Sequence, residues 1–344
     1  MITTSTRSRQ PEGAAAGASW QRELARAITE PAELLRLLGL DAGQAPALAA
    51  AAGAFRLRVP RGFVGRMRRE DPNDPLLLQV LPGTRELLEQ PGYLSDPLAE
   101  HSAIRAPGLL QKYHGRVLLI TTGACAIHCR YCFRREFPYE SANGVGPRWQ
   151  QALETIRADP SIEEIILSGG DPLSLTDERL GALTDALRRM PQLRRLRIHT
   201  RMPIVLPERV DEGLASWLKA LPWPTVIVLH CNHANEVDAQ VSAAAARLRA
   251  AGATLLNQSV LLAGINDSLS ALEQLSEALW SARILPYYLH LLDPVRGTAH
   301  FDVAETRARE LMAALAARLP GYLLPKLVRE TPGAPAKTIL SATH

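Results

Sequence analysis

The sequence predicts an α/β protein, an incomplete (βα)6 barrel of the TIM type that follows an N-terminal helical region. Two observations support the barrel. From about residue 109 onward, short runs rich in Val, Ile and Leu alternate with amphipathic segments, and this alternation is typical of parallel βα units. Polar residues follow each of these runs, and the active sites of such barrels lie at the carboxyl ends of the strands.

The chain divides into three regions. Residues 1–18 are rich in Ser, Thr, Gly and Ala and lack apolar periodicity, so we expect a flexible tail. Residues 19–108 form the helical region, and residues 109–344 form the barrel with a C-terminal segment after its last strand. The predicted helices of the first part are 23–28, 31–40 and 45–55; the predicted strands are 116–121, 164–168, 196–200, 225–230, 254–260 and 286–291, with a further strand-like run at 322–328; the helices between them include 149–158, 177–190, 237–250, 269–281 and 304–319.

The composition is that of a soluble globular protein. Of the 344 residues 47% are hydrophobic and 22% are charged, which are ordinary values. A net charge of +4 is too small and too dispersed to indicate nucleic-acid binding, and the sequence has neither a long apolar run nor an apolar signal core. Four cysteines, three of them clustered, suit a reducing compartment. We therefore expect a cytoplasmic protein with no membrane or nucleic-acid partner.

Three cysteines follow the first predicted strand in the order Cys125, Cys129, Cys132. Thiolates are the ligands of iron–sulfur clusters, and three of them leave one iron of a four-iron cluster open to another ligand. The run therefore predicts a [4Fe–4S] cluster. Two alternatives stay open. One is a zinc site completed by His128 or Cys231, because structural zinc takes four ligands. The other is a redox dithiol formed by the last two clustered cysteines. Cys231 itself is more typical of a buried small apolar residue.

Gly169, Gly170 and Asp171 follow the second predicted strand. Glycines allow a backbone to approach a ligand closely, and a carboxylate accepts hydrogen bonds from an ammonium group. The same tripeptide is also common in simple tight turns, so it gains meaning only beside the cysteine run. The other predicted strands end near Thr200 and Arg201, His230, Asn257 and Gln258, and Asp293.

The chain has only four lysines, so each of them is a candidate for a specific role. Pyridoxal phosphate (PLP) needs one lysine amine for covalent attachment, and Lys337 lies in a Gly- and Pro-containing segment after the last strand-like run. Lys112, Tyr113 and Arg116 offer two cations and a hydroxyl group that suit the phosphate of that cofactor. A solvent-exposed turn explains these three residues equally well.

Taken together, the motifs resemble the lysine 2,3-aminomutases, a family of radical S-adenosylmethionine (SAM) enzymes. The resemblance covers roughly residues 90–340 and includes aromatic Tyr131 before the last clustered cysteine. Within the family the chain looks most like the short type that supplies β-lysine for elongation factor P, because it ends seven residues after Lys337. It departs from the longer clostridial enzymes at Glu330, where those enzymes carry aspartate. The segments that carry the resemblance are 113–117, 125–137, 168–171, 201–207, 230–236, 257–266 and 333–338.

The resemblance implies that the cluster cleaves SAM to a 5′-deoxyadenosyl radical, and that PLP on Lys337 carries the amino group that migrates when L-lysine becomes (R)-β-lysine. It assigns the substrate carboxylate to Arg134 and the ε-ammonium to Asp293 and Glu330, so that each end meets its opposite charge. It further implies elongation factor P and its lysyl ligase as functional partners and flavodoxin or ferredoxin as electron donor. The residues that it assigns to cofactor binding, besides Lys337, are Lys112, Tyr113, Arg116, Tyr131, Gly169, Gly170, Asp171, His230, Asn257 and Gln258.

Other functions remain as alternatives. One is an aminomutase that serves a free β-lysine pool or acts on another amino acid, although Asp293 and Glu330 would repel the side chain of glutamate. A radical SAM methyltransferase or sulfur-inserting enzyme without PLP would keep full activity in a Lys337→Ala variant. An iron–sulfur regulatory module would be insensitive to Arg134→Ala.

Overall fold

The computed structural model describes residues 18–139 and 147–341. Its centre is one ten-stranded sheet in which the strands lie in the order of the sequence. Strands β3 to β9 are parallel, and β1, β2 and β10 extend the two edges as antiparallel neighbours. The strands are β1 (Ile104–Ala106), β2 (Leu109–Tyr113), β3 (Arg116–Thr122), β4 (Glu164–Gly169), β5 (Arg195–Thr200), β6 (Thr225–His230), β7 (Thr254–Val260), β8 (Leu285–His290), β9 (Lys326–Arg329) and β10 (Thr338–Ile339).

The predicted α/β class and incomplete barrel are confirmed, with seven parallel strands instead of six. The seventh is β9, which pairs with β8; the run predicted at 322–328 begins instead as a 3-10 turn at Gly321–Leu323. Strand β1 lies inside the region that we predicted to be helical. It has only three residues, so neither helical nor strand periodicity can be recognised in it.

Ion pairs between side chains link the two ends of this open sheet. Nζ of Lys112 on β2 lies 3.2 Å from Oε1 of Glu330, the residue that follows β9. The same ammonium group lies 3.2 Å from Oε1 of Glu100. The barrel is therefore incomplete in its backbone, and ion pairs bring its first and last parts together.

Seven helices of the described chain accompany the parallel strands. Several begin where a short polar side chain accepts a hydrogen bond from the first turn: Asp211 from Leu214 N at 2.9 Å, and Asp238 from Val241 N at 2.8 Å. The helix predicted at 269–281 is found with those bounds. The helices are Pro147–Ala158, Asp177–Leu187, Met202–Val205, Glu212–Lys219, Ala239–Ala250, Leu269–Ser281 and Glu305–Ala316.

The N-terminal helices share one hydrophobic core with the barrel. Trp20 and Phe63 from this region are buried in the same cluster as Ile165 of β4 and Ile198 of β5. None of the described helices combines the length and apolar composition needed to cross a membrane. Residues 1–17 of the predicted tail lie outside the described residues. The N-terminal helices are Ala18–Ala25, Pro31–Leu38, Ala45–Ala54, Arg61–Val64 and Pro75–Leu78.

Candidate cofactor and substrate site

The three clustered cysteines lie in the loop after β3, and none of them forms a disulfide. All three are partly exposed. Burial of its sulfur, the charge of Asp171 and the other two thiols raise the pKa of Cys125, so the three sulfurs lie within electrostatic range of one another. This soft donor set fits an iron–sulfur cluster, whose binding replaces the thiol protons because the thiolate is the ligand.

The alternative fourth ligands for zinc have other contacts. Nδ1 of His128 lies 2.9 Å from the carbonyl oxygen of Arg56. Cys231 is completely buried in the hydrophobic core, with its sulfur 3.4 Å from the carbonyl oxygen of His233; the prediction of a buried small residue is confirmed. Across residues 18–139 and 147–341, no three His, Cys, Asp or Glu side chains converge on one metal-ion position.

Gly169 and Gly170 allow the end of β4 to contact the cysteine loop. A Cβ on Gly170 would lie 2.3 Å from the carbonyl oxygen of Ala124, and one on Gly169, whose φ is +127°, would lie 2.5 Å from that of Thr122. Gly170 N donates to Thr122 O at 2.7 Å. The two glycines thus allow close contact with the cysteine loop, and their predicted approach to a ligand stays a prediction.

A Gly170→Ala variant is expected to be less stable by about 1–3 kcal/mol, because the added methyl group overpacks a backbone contact. It should also bind less iron per chain, since the cysteine loop must shift. Thermal unfolding and iron analysis measure the two effects. Gly181→Ala is the matched control: its Cβ would meet nothing within 4 Å, and unchanged stability and iron content in both variants would contradict the prediction.

The carboxylate of Asp171 is occupied by four protein donors. Oδ1 accepts hydrogen bonds from Leu173 N at 3.0 Å and Thr200 Oγ1 at 2.6 Å. Oδ2 accepts from Arg201 N at 2.7 Å and Met202 N at 2.9 Å. A carboxylate has about four acceptor positions, so these contacts use them all, and the predicted binding of a ligand's ammonium group by this motif stays a prediction. Asp171 joins the loops after β4 and β5.

Neighbouring residues of β7 face opposite sides of the sheet, as alternation requires. Gln258 faces the barrel interior, with Nε2 2.9 Å from Nε2 of His230. Asn257 is buried on the other side, where Oδ1 accepts from Cys231 N at 2.9 Å and Nδ2 donates to Ser259 Oγ at 2.9 Å. Gln258 and His230 therefore lie together, whereas Asn257 supports the chain beside β6. The cofactor contacts predicted for these three residues stay predictions.

Buried histidines line the barrel interior near Lys337. Burial, with other positive charges, lowers the pKa of His230 and of His290 to about 3, so both are neutral at pH 7. Nε2 of His199 and Nε2 of His290 are buried without a hydrogen-bond partner in the described part of the chain, although buried polar atoms are normally paired. The charge of Lys337 acts on both of these rings. This interior, with unpaired polar atoms and one lysine amine, fits a polar cofactor such as PLP.

Five charged side chains of alternating sign form one continuous row. Arg134 donates from Nε and Nη2 to the two oxygens of Glu100 at 2.7 and 2.8 Å. Glu100 and Glu330 both contact Lys112, each at 3.2 Å, and Glu330 also pairs with Lys337. The structure thus brings together the predicted residues Arg134, Glu330 and Lys337. Glu100, which sequence reasoning missed, lies in a 3-10 turn with no motif to indicate it.

Asp293 lies near the end of this row. Burial and the negative charge of Glu330 raise the pKa of Asp293 to about 7. Although burial opposes it, the charges of Lys337 and Lys112 lower the pKa of Glu330 to about 2. The two acids predicted to bind one ammonium group are therefore close enough to influence each other, as two acids at one site do.

The three residues predicted to bind phosphate do not act as one group in this structure. The guanidinium of Arg116 lies 4.6 Å from the ring centre of Tyr113, and burial together with the charge of Glu330 raises the pKa of Tyr113. Lys112 forms ion pairs with two carboxylates. Phosphate binding by this set stays a prediction.

The cysteine loop is connected to the N-terminal region through a buried carboxylate, Glu86. Arg130 donates from Nε to Glu86 Oε1 at 2.8 Å, and Arg135 donates from Nη2 to Oε2 at 2.8 Å. Arg130 also donates from Nη1 to the carbonyl oxygen of Phe55 at 2.6 Å. Both arginines belong to the cysteine loop, so residues far upstream in the sequence determine its position.

Tyr131 lies in a second buried network. Its hydroxyl oxygen accepts a hydrogen bond from Arg201 Nη1 at 2.7 Å and donates to Gln79 Oε1 at 3.3 Å. Its ring packs edge-on against Phe301, with ring centres 6.3 Å apart. The predicted cofactor contact of Tyr131 stays a prediction, and Gln79 and Arg201 join the site as residues that the sequence did not single out for a role.

The chain is similar to several known proteins. A model described as a 4Fe-4S single cluster domain matches residues 114–196, which contain the three clustered cysteines. The L-lysine 2,3-aminomutase of Escherichia coli (strain K12) is 47% identical over 99% of this chain and 97% of its own length; that of Clostridium subterminale is 33% identical over 94% and 80%. A solved radical SAM methyltransferase from Sphaerobacter thermophilus has a TM-score of 0.43 at 17% identity, over 64% of this chain and 68% of that chain.

The match to the Escherichia coli enzyme spans nearly the whole chain, and the cluster domain includes the cysteine loop. These two findings confirm the predicted family and the predicted iron–sulfur cofactor. The chain is an enzyme that belongs to the radical SAM L-lysine 2,3-aminomutase family.

Proposed function

We propose that the enzyme converts L-lysine into (R)-β-lysine, with SAM and a [4Fe–4S] cluster at Cys125, Cys129 and Cys132 and with PLP on Lys337. The observation that carries this proposal is the row of charges. Arg134, a cation suited to a carboxylate, lies at one end, and the acids Glu330 and Asp293 lie near Lys337 at the other. A substrate with a carboxylate at one end and an ammonium at the other matches that order of charge.

When bound, the cofactors supply a 5′-deoxyadenosyl radical that removes a hydrogen from the β-carbon and a carrier for the amino group. Arg134 has five N–H donors, of which two bond to Glu100 and one to Ser168 Oγ at 3.1 Å. The other two have no partner among the described residues and can bind the substrate carboxylate. Glu100 holds the guanidinium plane in place, since a bidentate pair constrains both partners.

At the other end, Asp293 and Glu330 are arranged for a cation. Their proximity disfavours two negative charges, and an ammonium group between them removes that repulsion. Glu330 is already paired with Lys337. Because a glutamate side chain is longer than the aspartate of the clostridial enzymes, Glu330 can contact both Lys337 and Lys112 from one position.

The pH dependence of kcat/KM is expected to report on Asp293. Burial and Glu330 raise its pKa to about 7, so it becomes neutral and loses its attraction for the ε-ammonium as the pH falls below that value. In the parent enzyme, kcat/KM should then decrease about tenfold per pH unit below about pH 7. Asp293→Asn should be weakly active without this acidic limb. A parent profile that is flat between pH 5.5 and 8 would contradict the assignment.

We also propose that the product serves the modification of elongation factor P by a lysyl ligase in the cytoplasm, with flavodoxin or ferredoxin as electron donor. The higher identity to the Escherichia coli enzyme, 47% against 33% for the clostridial one, supports assignment to the short type that the sequence resembles. Adding purified elongation factor P and its ligase to the reaction should transfer β-lysine to the factor, as intact-mass analysis would detect.

Anaerobic reconstitution with iron, sulfide, PLP, SAM and a reductant tests the main proposal. L-lysine should be converted to β-lysine, and chiral chromatography should show the (R) enantiomer. L-arginine and L-glutamate, assayed in parallel, should react much more slowly. A preferred substrate other than lysine, or turnover that does not depend on added PLP, would overturn the proposal.

A further inference from the structure

Arg201 follows β5 and contacts the sulfur of one proposed cluster ligand. Its Nη1 donates a hydrogen bond to Cys129 Sγ at 2.8 Å and another to the hydroxyl oxygen of Tyr131 at 2.7 Å. The residue is 7% exposed, so the interaction takes place away from bulk water. In such surroundings a charged donor acts more strongly on its acceptor than in solvent.

The other side of this guanidinium is held by two buried side chains. Nη2 donates to Gln79 Oε1 at 2.6 Å and to Glu236 Oε2 at 2.8 Å. Glu236 is completely buried, and its Oε1 accepts from Asn232 N at 2.9 Å. The Glu236 carboxylate, on the side away from Cys129, therefore holds Arg201 in position and stabilises its positive charge.

Nε of Arg201 is buried and has no hydrogen-bond partner among the described residues. Buried donors are paired in most proteins, and each unpaired one calls for an explanation such as an ion or ligand that completes the site. An iron–sulfur cluster with bound SAM would bring acceptors, sulfide and carboxylate, to the neighbourhood of Cys129. The free donor thus fits a cofactor beside this arginine.

We propose that Arg201 is a positioning residue that donates to the Cys129 ligand sulfur and thereby raises the reduction potential of the cluster. Adding an electron makes the cluster more negative, and hydrogen bonds to its sulfurs together with a nearby positive charge favour that state. The result is easier one-electron reduction before SAM cleavage. This inference rests on the proposed function, in that Cys129 must be a ligand of the cluster.

The variants must separate this effect from simple damage to the fold. Arg201→Gln alone would leave Glu236 buried without its cation, which is strongly destabilising, so the main variant is the double replacement Arg201→Gln with Glu236→Gln. Glu236→Gln alone keeps the cation and removes its counter-charge. Arg66→Gln is the matched control, because Arg66 is a mostly buried arginine that donates to the carbonyl oxygens of Glu236 and Ile204 and contacts no clustered cysteine.

The measurement is an anaerobic redox titration of the reconstituted cluster, followed by electron paramagnetic resonance without SAM or lysine, together with iron content. The double variant should bind parental amounts of iron and show a more negative midpoint potential. Glu236→Gln should shift the potential in the positive direction, and Arg66→Gln, which removes no hydrogen bond to a clustered cysteine, should shift it by less than the double variant does. A purely structural role would not produce shifts of opposite sign.

Two results would overturn the inference: a double variant whose midpoint potential equals that of the parent, or folded variants that lose their cluster, since the assignment requires a cluster that stays bound. Failure of the proposed function can be distinguished from failure of this inference. In that case the parent protein itself would show no reducible [4Fe–4S] signal after reconstitution.

Discussion

Lys337→Ala is expected to abolish the isomerisation of lysine, with a rate below about one thousandth of the parent, a loss typical of removing a covalent catalytic group. The amine of Lys337 pairs with Glu330, and its charge acts on Asp293, His199 and His290. Lys112, the other lysine of this region, is held between two carboxylates and cannot replace it without breaking both ion pairs. Product formation by mass spectrometry and the visible absorbance of bound PLP measure the two consequences.

Two comparisons make this result specific. Lys219→Ala removes an exposed lysine from a surface helix and should leave both readouts at parental values. Lys337→Arg keeps a positive charge near Glu330 but offers no amine for covalent attachment, so it should be as inactive as the alanine variant. Retention of more than a tenth of the parental rate by either variant at position 337 would exclude it as the PLP lysine.

Glu86→Ala is expected to have the largest effect on stability. Removing the carboxylate leaves Arg130, which is completely buried, and Arg135, which is nearly so, without their counter-charge. Breaking a buried ion pair in this way costs about 3–5 kcal/mol. Because both arginines belong to the cysteine loop, iron binding should fall with stability. Thermal unfolding of the metal-free protein and iron content after reconstitution give the two measurements.

The matched control for this change is Glu89→Ala, three positions along the chain. Glu89 is exposed, and surface substitutions of this kind usually change stability by no more than about 0.5 kcal/mol. Equal melting temperatures for the two alanine variants would show that Glu86 does not carry the connection between the N-terminal region and the cysteine loop.

The parallel strands were predictable because they are buried and flanked by helices, so their sequences are nearly continuous runs of apolar residues. All six residues of β4, for example, are buried. The edge strands lack this signal: β10 has two residues, both exposed, and among the described strands it pairs with β9 alone. Short antiparallel edges depend on contacts with the rest of the fold, which a local pattern does not contain.

The iron–sulfur site was predictable because one motif supplies three distinctive residues, the clustered cysteines, whereas the role of Lys337 stays a prediction. The site was not predictable where function depends on distant partners. Glu86 lies 44 residues before Arg130, and Glu100 lies 34 residues before Arg134, in a region without motifs. Within one motif, the sequence did not show which of Asn257 and Gln258 faces the barrel interior. Neighbouring residues of a strand face opposite sides of the sheet, and the structure shows that Gln258 faces inward.

The dependence of the cysteine loop on Glu86 bears on how this enzyme can be dissected. A version that starts at residue 109 would keep every cysteine and Lys337, yet Arg130, Arg134 and Arg135 would lose the carboxylates that neutralise them. Three uncompensated guanidinium groups would then surround the loop. The barrel is accordingly not a minimal catalytic unit. Exchanging N-terminal regions between relatives will succeed only when the new region carries acids that pair with these arginines.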